Sequence, residues 1–194
     1  DKVVAGAKAV GYCGLATFEF LRDSRGDFYF LEVNPRVQVE HTVTEMITGT
    51  DLVSMGIRVA SGESIKLIQD DIQIRGHAIQ VRLNAENPVT LSPSPGKLWE
   101  CHWPGGPGVR IDTHAHTGYD MPASFDSLLA KLIVWAPTRD ESISKLIAAL
   151  HEIKLLGVDT LIPLHLAILS ENDFRKRDIT IHYLEEHPNL LSGG

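Results

Sequence analysis

From His77 to Glu86 the side chains alternate without a break. Ile79, Val81, Leu83 and Ala85 fall on one parity, and Gln80, Arg82, Asn84 and Glu86 on the other. A period of two maintained over this length predicts an extended strand with one dry face and one wet face. A helix would scatter the same residues around its girth. Half-wet strands belong to antiparallel sheets, because parallel strands are covered on both faces. Turn formers follow in Leu91-Ser92-Pro93-Ser94-Pro95-Gly96 and again in Pro104-Gly105-Gly106-Pro107-Gly108, where proline and glycine preset turn geometry. They delimit expected strands at 97–103, 109–113 and 128–135. Residues 138–154 predict an amphipathic helix, with Ile143, Leu146, Ile147 and Leu150 on one side and Glu141 and Lys145 on the other. Another helix near 163–170 begins with Pro163, a residue the first turn tolerates. The expected class is α+β, with an antiparallel sheet from about residue 76 onward.

The first part of the chain has a different rhythm. Residues 1–11 read as the end of a helix. Residues 15–22 and 28–33 are rich in strand formers and are separated by Asp23-Ser24-Arg25-Gly26-Asp27, which predicts a hairpin. Residues 40–61 read as helical, interrupted at Gly49, with Asp51 as N-cap of the second piece. The change of pattern over 62–76 suggests two domains, residues 1–75 and 76–194.

Composition narrows the function classes. With 43% apolar and 22% charged residues, the chain is neither disordered nor of low complexity. Eighteen Lys+Arg against 25 Asp+Glu give a net charge of −7, which argues against a broad basic surface for nucleic acid. No apolar run reaches the roughly 18–20 residues of a membrane span. Neither nucleic acid nor a membrane is therefore an expected partner. Cys13 and Cys101 lie far apart without metal-ligand spacing, and suit a reducing, cytosol-like compartment. Both are expected as buried thiols rather than nucleophiles. The chain starts at Asp1-Lys2-Val3-Val4 without an initiator Met or targeting segment, and reads as a piece of a longer one.

The densest polar run is Glu32-x-Asn34-x-Arg36-x-Gln38-Val39-Glu40-His41. Phe28, Phe30, Glu32, Asn34, Arg36 and Gln38 have one parity and share a face if the chain stays extended, although Pro35 predicts a loop from about Asn34. Glu32 and Asn34, with Glu19 from the neighbouring strand, make a set of hard oxygen donors suited to Mg²⁺ or Mn²⁺ rather than zinc. Arg36 offers a planar fork to an oxyanion, and Glu40 a base for whatever Arg36 holds. Alternating polar residues alone fit a solvated strand edge equally well, and periodicity does not separate the two. His114-Ala115-His116 has ligand spacing but no third ligand, so structural or surface roles are expected. His41 is expected as a hydrogen-bonded structural residue.

Longer motifs separate them. Glu19, then Glu32-Val33-Asn34-Pro35-Arg36-Val37-Gln38-Val39-Glu40-His41-Thr42-Val43-Thr44-Glu45, resembles the E-x-N-x-R-x-Q-V-E-H-x-V-T-E pattern of biotin carboxylases, the ATP-grasp components of biotin-dependent carboxylases. Arg75-Gly76-His77-Ala78-Ile79-Gln80-Val81-Arg82-Leu83-Asn84-Ala85-Glu86, Ser94-Pro95-Gly96, Pro104-Gly105-Gly106 and Phe125-Asp126-Ser127-Leu128-Leu129-Ala130-Lys131-Leu132 resemble the same family in order. Phe125 stands where many members have Tyr, and Leu161 where Asn is usual.

The resemblance implies the C-terminal half of an ATP-grasp domain followed by a biotin carboxylase C-terminal domain, with an antiparallel sheet and packed helices. It implies ATP- and bicarbonate-dependent carboxylation of biotin on a carrier through carboxyphosphate, the first half-reaction of enzymes such as acetyl-CoA carboxylase in fatty acid synthesis. Glu19, Glu32 and Asn34 would hold the Mg²⁺ or Mn²⁺ of ATP. Arg36, with Gln38 and Val39, would bind bicarbonate, Glu40 would deprotonate it, and Arg82 would stabilise the enolate-like oxygen of biotin. The implied partners are a biotin carboxyl carrier domain and a carboxyltransferase component, with a homodimer of the full-length chain left open. The implied location is the cytoplasm, or the mitochondrial matrix for a eukaryotic source. The glycine-rich lid and the lysines that clamp ATP in the family lie outside this stretch, which is expected to be inactive alone. The alternatives are another ATP-grasp ligase, making carbamoyl or amino-acid phosphates, and a non-catalytic assembly module. Gln38-Val39-Glu40-His41 together with Arg82 argues against the first.

Overall fold

The alternating strand is present as expected, at one edge of the main sheet of the second of two units. The structure, a computed structural model, describes residues 2–191. Asp1 of the expected first helix and residues 192–194 of the second part lie outside the described residues. Contacts divide the chain into Asp1–Arg75 and Gly76–Gly194.

The first unit runs α1 (Lys2–Ala9), β1 (Thr17–Arg22), β2 (Phe28–Asn34), α2 (His41–Thr48) and α3 (Leu52–Ala60). Strands β1 and β2 form the antiparallel hairpin. Asp23 builds its turn, with Oδ1 accepting from the backbone N–H of Arg25 and of Asp27 at 2.9 and 3.0 Å. The break between α2 and α3 has three local causes. Gly49 takes φ +72° and donates its N–H to the Glu45 carbonyl at 2.8 Å, closing α2 in the left-handed geometry that glycine adopts without penalty. Asp51 caps α3 by accepting from Ser54 N–H at 2.8 Å. The buried Glu45 carboxylate accepts from Leu52 N–H at 2.7 Å, satisfying another open donor of the same helix end.

The second unit runs β3 (His77–Asn84), β4 (Gly96–Lys97), β5 (Glu100–His102), β6 (Val109–Thr113), β7 (Asp120–Met121), β8 (Leu128–Ala136), α4 (Arg139–Glu152), β9 (Lys154–Leu156), α5 (Ile162–Ser170), α6 (Asn172–Lys176) and α7 (Tyr183–Glu186). Its main sheet is antiparallel, in the order β3-β8-β6. Register places Leu83, Val81 and Ile79 opposite Ala130, Leu132 and Val134, and Ile111 and Val109 opposite Leu132 and Val134. This dry face meets Ile143, Leu146 and Leu150 of α4 in one core. Each Leu or Ile fully buried there contributes about 1.5–3 kcal/mol. Helix α4 starts in a capping box between Thr138 and Glu141. Its buried Ser142 donates to the His77 carbonyl at 2.8 Å, tying helix to sheet edge.

Two expectations are corrected here. The strand foreseen at 97–103 is two strands: β4 pairs with β7 and β5 with β9. The change of partner falls at Leu98–Trp99, whose N–H groups donate to Tyr119 and Leu156 respectively. The helix foreseen to residue 154 ends at Glu152 because Ile153 turns extended and Lys154–Leu156 joins β5. Among the described residues no helix is long and apolar enough to cross a membrane.

Candidate functional site

One irregularity decides which side chains meet on the hairpin. Glu19 stands opposite Glu32, but the next residue, Phe20, stands opposite Phe30, so Leu31 is an extra residue in the ladder. A bulge of this kind reverses the parity of the strand beyond it. The expectation that Phe28 and Phe30 share a face with Glu32 and Asn34 is therefore wrong. Phe28 and Phe30 pack edge-on against Phe20, at centroid distances of 6.4 and 5.8 Å. With Phe18 and Val33 they line an apolar groove of about 530 Å³.

The other face carries the polar group. Asn34 Nδ2 donates to Glu19 Oε1 and to Glu32 Oε1, both at 2.9 Å, and Gln38 Nε2 donates to Glu19 Oε1 at 2.9 Å. Two carboxylates directly opposite each other repel, and the Asn34 N–H group is placed where positive charge belongs. The donor set is two carboxylates and an amide. Among the described residues no group of three or more His, Cys, Asp or Glu side chains converges to hold a metal. A site with few protein oxygens suits Mg²⁺, which is commonly carried by one or two carboxylates and substrate phosphates.

Beyond Asn34 the chain leaves the sheet, as Pro35 requires. Arg36 N–H donates to the Asn34 carbonyl at 2.8 Å, and the guanidinium reaches Asn34 Oδ1 at 3.4 Å and the Val37 carbonyl at 3.2 Å. Arg36, Gln38 and Glu40 line one cleft of about 310 Å³ together with Thr17 and His41. Half-buried Val39 is not among its lining residues. His41 Nδ1–H donates to the Gln38 carbonyl at 2.7 Å, and its Nε2 lies 3.8 Å from Glu45. That pins the loop to the start of α2, the structural role expected of it.

Arg82 belongs to the second unit, on the wet face of β3, and is exposed. Its carbonyl accepts from His165 Nε2 at 2.9 Å, which fixes that ring tautomer. Burial pushes His165 below its ordinary pKa, against the opposite pull of this hydrogen bond. Further along β3, Asn84 Nδ2 donates to Glu86 Oε1 at 2.9 Å and to Ser127 Oγ at 3.0 Å, and Ser127 Oγ donates to Glu86. Sequence reasoning missed this Asn84–Glu86–Ser127 group. Its members are 43 positions apart at the widest, and only strand register brings them together.

Other expectations divide. Cys13 is exposed, so a buried thiol is wrong there, because the loop after α1 leaves it uncovered. Cys101 is half-buried, and burial raises its pKa. His114 and His116 both pack edge-on against Tyr119, at 5.1 and 5.9 Å.

Comparison with known proteins places both parts of the chain. Residues 80–186 match the family model "Biotin carboxylase C-terminal domain", and residues 1–68 match "Carbamoyl-phosphate synthase L chain, ATP binding domain". The biotin carboxylase of Allochromatium vinosum is 46% identical over 96% of this chain and 41% of its own length. The biotin carboxylase of Haemophilus influenzae is 50% identical over 91% of this chain and 39% of its own length. The crystal structure of the biotin carboxylase domain dimer of Hydrogenobacter thermophilus 2-oxoglutarate carboxylase, in complex with MgADP, ADP and bicarbonate, superimposes with a TM-score of 0.96. It is 44% identical over 99% of this chain and 43% of that one. The chain thus spans well under half the length of these relatives.

Proposed function

This chain belongs to the biotin carboxylase family, and we propose that it supplies the C-terminal part of an enzyme that carboxylates carrier-bound biotin with ATP and bicarbonate. The observation that carries the reading is the single hydrogen-bonded group of Glu19, Glu32, Asn34 and Gln38, followed at once by the Arg36–Glu40 cleft. A metal-nucleotide site and an oxyanion site are what a carboxyphosphate-forming ligase needs side by side.

Glu19, Glu32 and the amide oxygen of Asn34 would hold Mg²⁺ or Mn²⁺, which would offset the charge of the ATP phosphates. In the structure the Asn34 amide turns its nitrogen to the carboxylates, so a ligand role requires the amide to rotate. Arg36 would hold bicarbonate with its fork, beside the Gln38–Val39 backbone. Glu40 would take the bicarbonate proton. The freed oxygen attacks the γ-phosphorus, the bond to ADP breaks, and carboxyphosphate forms. The carboxyl group would then pass to a ureido nitrogen of biotin as its bond to phosphate breaks, phosphate would leave with that nitrogen's proton, and Arg82 would donate to the ureido oxygen as negative charge gathers there. A carrier domain and a carboxyltransferase component would complete the cycle, in the cytoplasm or the mitochondrial matrix. The match of residues 1–68 to a carbamoyl-phosphate synthase model fits a shared ATP-binding design. The match of residues 80–186 favours biotin as acceptor.

Arg82→Ala in the full-length protein tests this. Biotin carboxylation should fall about 10²–10³-fold, with bicarbonate-dependent ATP cleavage far less affected. Small, equal losses in both reactions would reject the role of Arg82.

A further inference from the structure

Register in the main sheet of the second unit lines up charged residues across three strands. Arg82 on β3 is directly opposite Lys131 on β8, and Lys131 is directly opposite Asp112 on β6. Direct partners in an antiparallel ladder share a face, with Cβ atoms about 5 Å apart. The three side chains therefore occupy one row, on the face away from Leu83, Leu132 and Ile111. Arg82 and Lys131 are like charges in the position where like charges repel. The Lys131 side chain is only 12% exposed, so water screens that repulsion poorly.

Asp112 resolves the conflict. Its Oδ2 lies 3.2 Å from Lys131 Nζ. Arg110 grips the same carboxylate with Nε to Oδ1 at 2.7 Å and Nη2 to Oδ2 at 2.9 Å. Burial opposes ionisation of Asp112, but the hydrogen bonds from Arg110 and Lys131 outweigh it and hold the carboxyl below its ordinary pKa. Strand β6 flanks β8 on the side opposite β3, so the carboxylate draws the ammonium across the sheet and away from Arg82.

We propose that Asp112 and Lys131 are positioning residues for Arg82: the Arg110-clamped carboxylate turns the Lys131 ammonium towards β6 and keeps it from displacing the Arg82 guanidinium. The inference rests on the reading that Arg82 acts on the ureido oxygen of biotin. In this role the charge of Lys131 matters through where it is held. Neutralising Asp112 releases a half-buried ammonium beside Arg82. Removing that ammonium as well should then restore order to the row.

The test uses the full-length protein with Asp112→Asn, Lys131→Met, the double variant and Arg82→Ala. Biotin carboxylation, bicarbonate-dependent ATP cleavage and melting temperature are measured on each. Asp112→Asn should lower kcat for biotin carboxylation about tenfold, within what one aimed charge is worth, and leave ATP cleavage near the unsubstituted level. The double variant should recover most of the loss, and Lys131→Met alone should keep the ratio of the two reactions. A merely structural role would lower both reactions together with the melting temperature and leave their ratio unmoved. An unchanged ratio in Asp112→Asn, or a double variant no better than the single, overturns the proposal. If Asp112→Asn does not fold, the double variant, which leaves no stranded ammonium, decides alone: a depressed ratio there overturns it. Arg82→Ala separates the two levels. Sparing of biotin carboxylation by Arg82→Ala overturns the reading of Arg82 and the proposal with it. Loss by Arg82→Ala with no effect of Asp112→Asn overturns the positioning alone.

Discussion

Replacing Glu32 by Gln should change the sign of its effect on stability according to whether metal is present. Glu32 stands directly opposite Glu19, and both accept from the same Asn34 N–H group at 2.9 Å. Gln keeps an acceptor oxygen for that hydrogen bond and removes one of two facing charges. A like-charge pair in this position costs roughly 0.2–1 kcal/mol, so in EDTA the variant should match the unsubstituted protein or exceed it by up to that amount. With Mg²⁺ and ADP at about a hundred times their dissociation constant, binding to the folded state alone adds ~2.7 kcal/mol to the unsubstituted protein. A neutral amide is a poorer Mg²⁺ ligand than a carboxylate, so the variant should forgo most of that gain and become the less stable form. Urea unfolding of the full-length protein, followed by circular dichroism with and without MgADP, reads both limits. If Glu32→Gln loses the same stability in EDTA and in MgADP, the pair is an ordinary structural contact and the metal assignment fails.

Gly108→Ala should destabilise the second unit by about 1–3 kcal/mol. Gly108 takes φ +74°, and an added Cβ would lie 2.5 Å from the Trp135 carbonyl oxygen and 2.8 Å from Lys145 Nζ; urea unfolding followed by tryptophan fluorescence measures the loss. Burial holds His165 below its ordinary pKa, so the fold favours the neutral ring. Its share of stability is complete above the unfolded value near 6.5 and is lost as pH falls from there through the folded pKa. The unfolding free energy of the parent should therefore fall relative to that of His165→Gln as pH drops from 7.5 to 5, by at most about 1.4 kcal/mol per pH unit, and parallel curves would contradict the burial argument. Deleting Leu31 should preserve the MgADP-induced rise in unfolding free energy, because Phe20–Phe30 and Glu19–Glu32 can then pair in one regular ladder with both faces unchanged. Loss of the rise in a deletion variant that still folds would mean that the bulge itself shapes the site.

What could be read from the sequence was what local chemistry decides. The break between α2 and α3 is written in Gly49 and Asp51, because one supplies the left-handed turn and the other the acceptor for a helix N–H. The strand β3 is written in its alternation, because one face meets α4 and the other carries the polar side chains Gln80, Arg82 and Asn84. Glu19, Glu32, Asn34, Arg36, Gln38 and Glu40 were found through a motif, which fixes residue types and spacing but not faces. Parity fails at Leu31 because a bulge is a property of two strands: nothing in Phe28–Asn34 alone says that β1 matches it with one residue fewer. The strand expected at 97–103 fails for the same reason, since its partner changes at Leu98–Trp99 and both partners are distant in sequence. The Arg82–Lys131–Asp112 row follows the same logic. Arg82 and Asp112 are brought together by β8, which pairs with both of their strands, and no spacing rule on one strand encodes a charge shared across three. A motif names residue types and their spacing along one stretch of chain, whereas the partners of those residues on other strands are set by register and become visible only once the strands are paired.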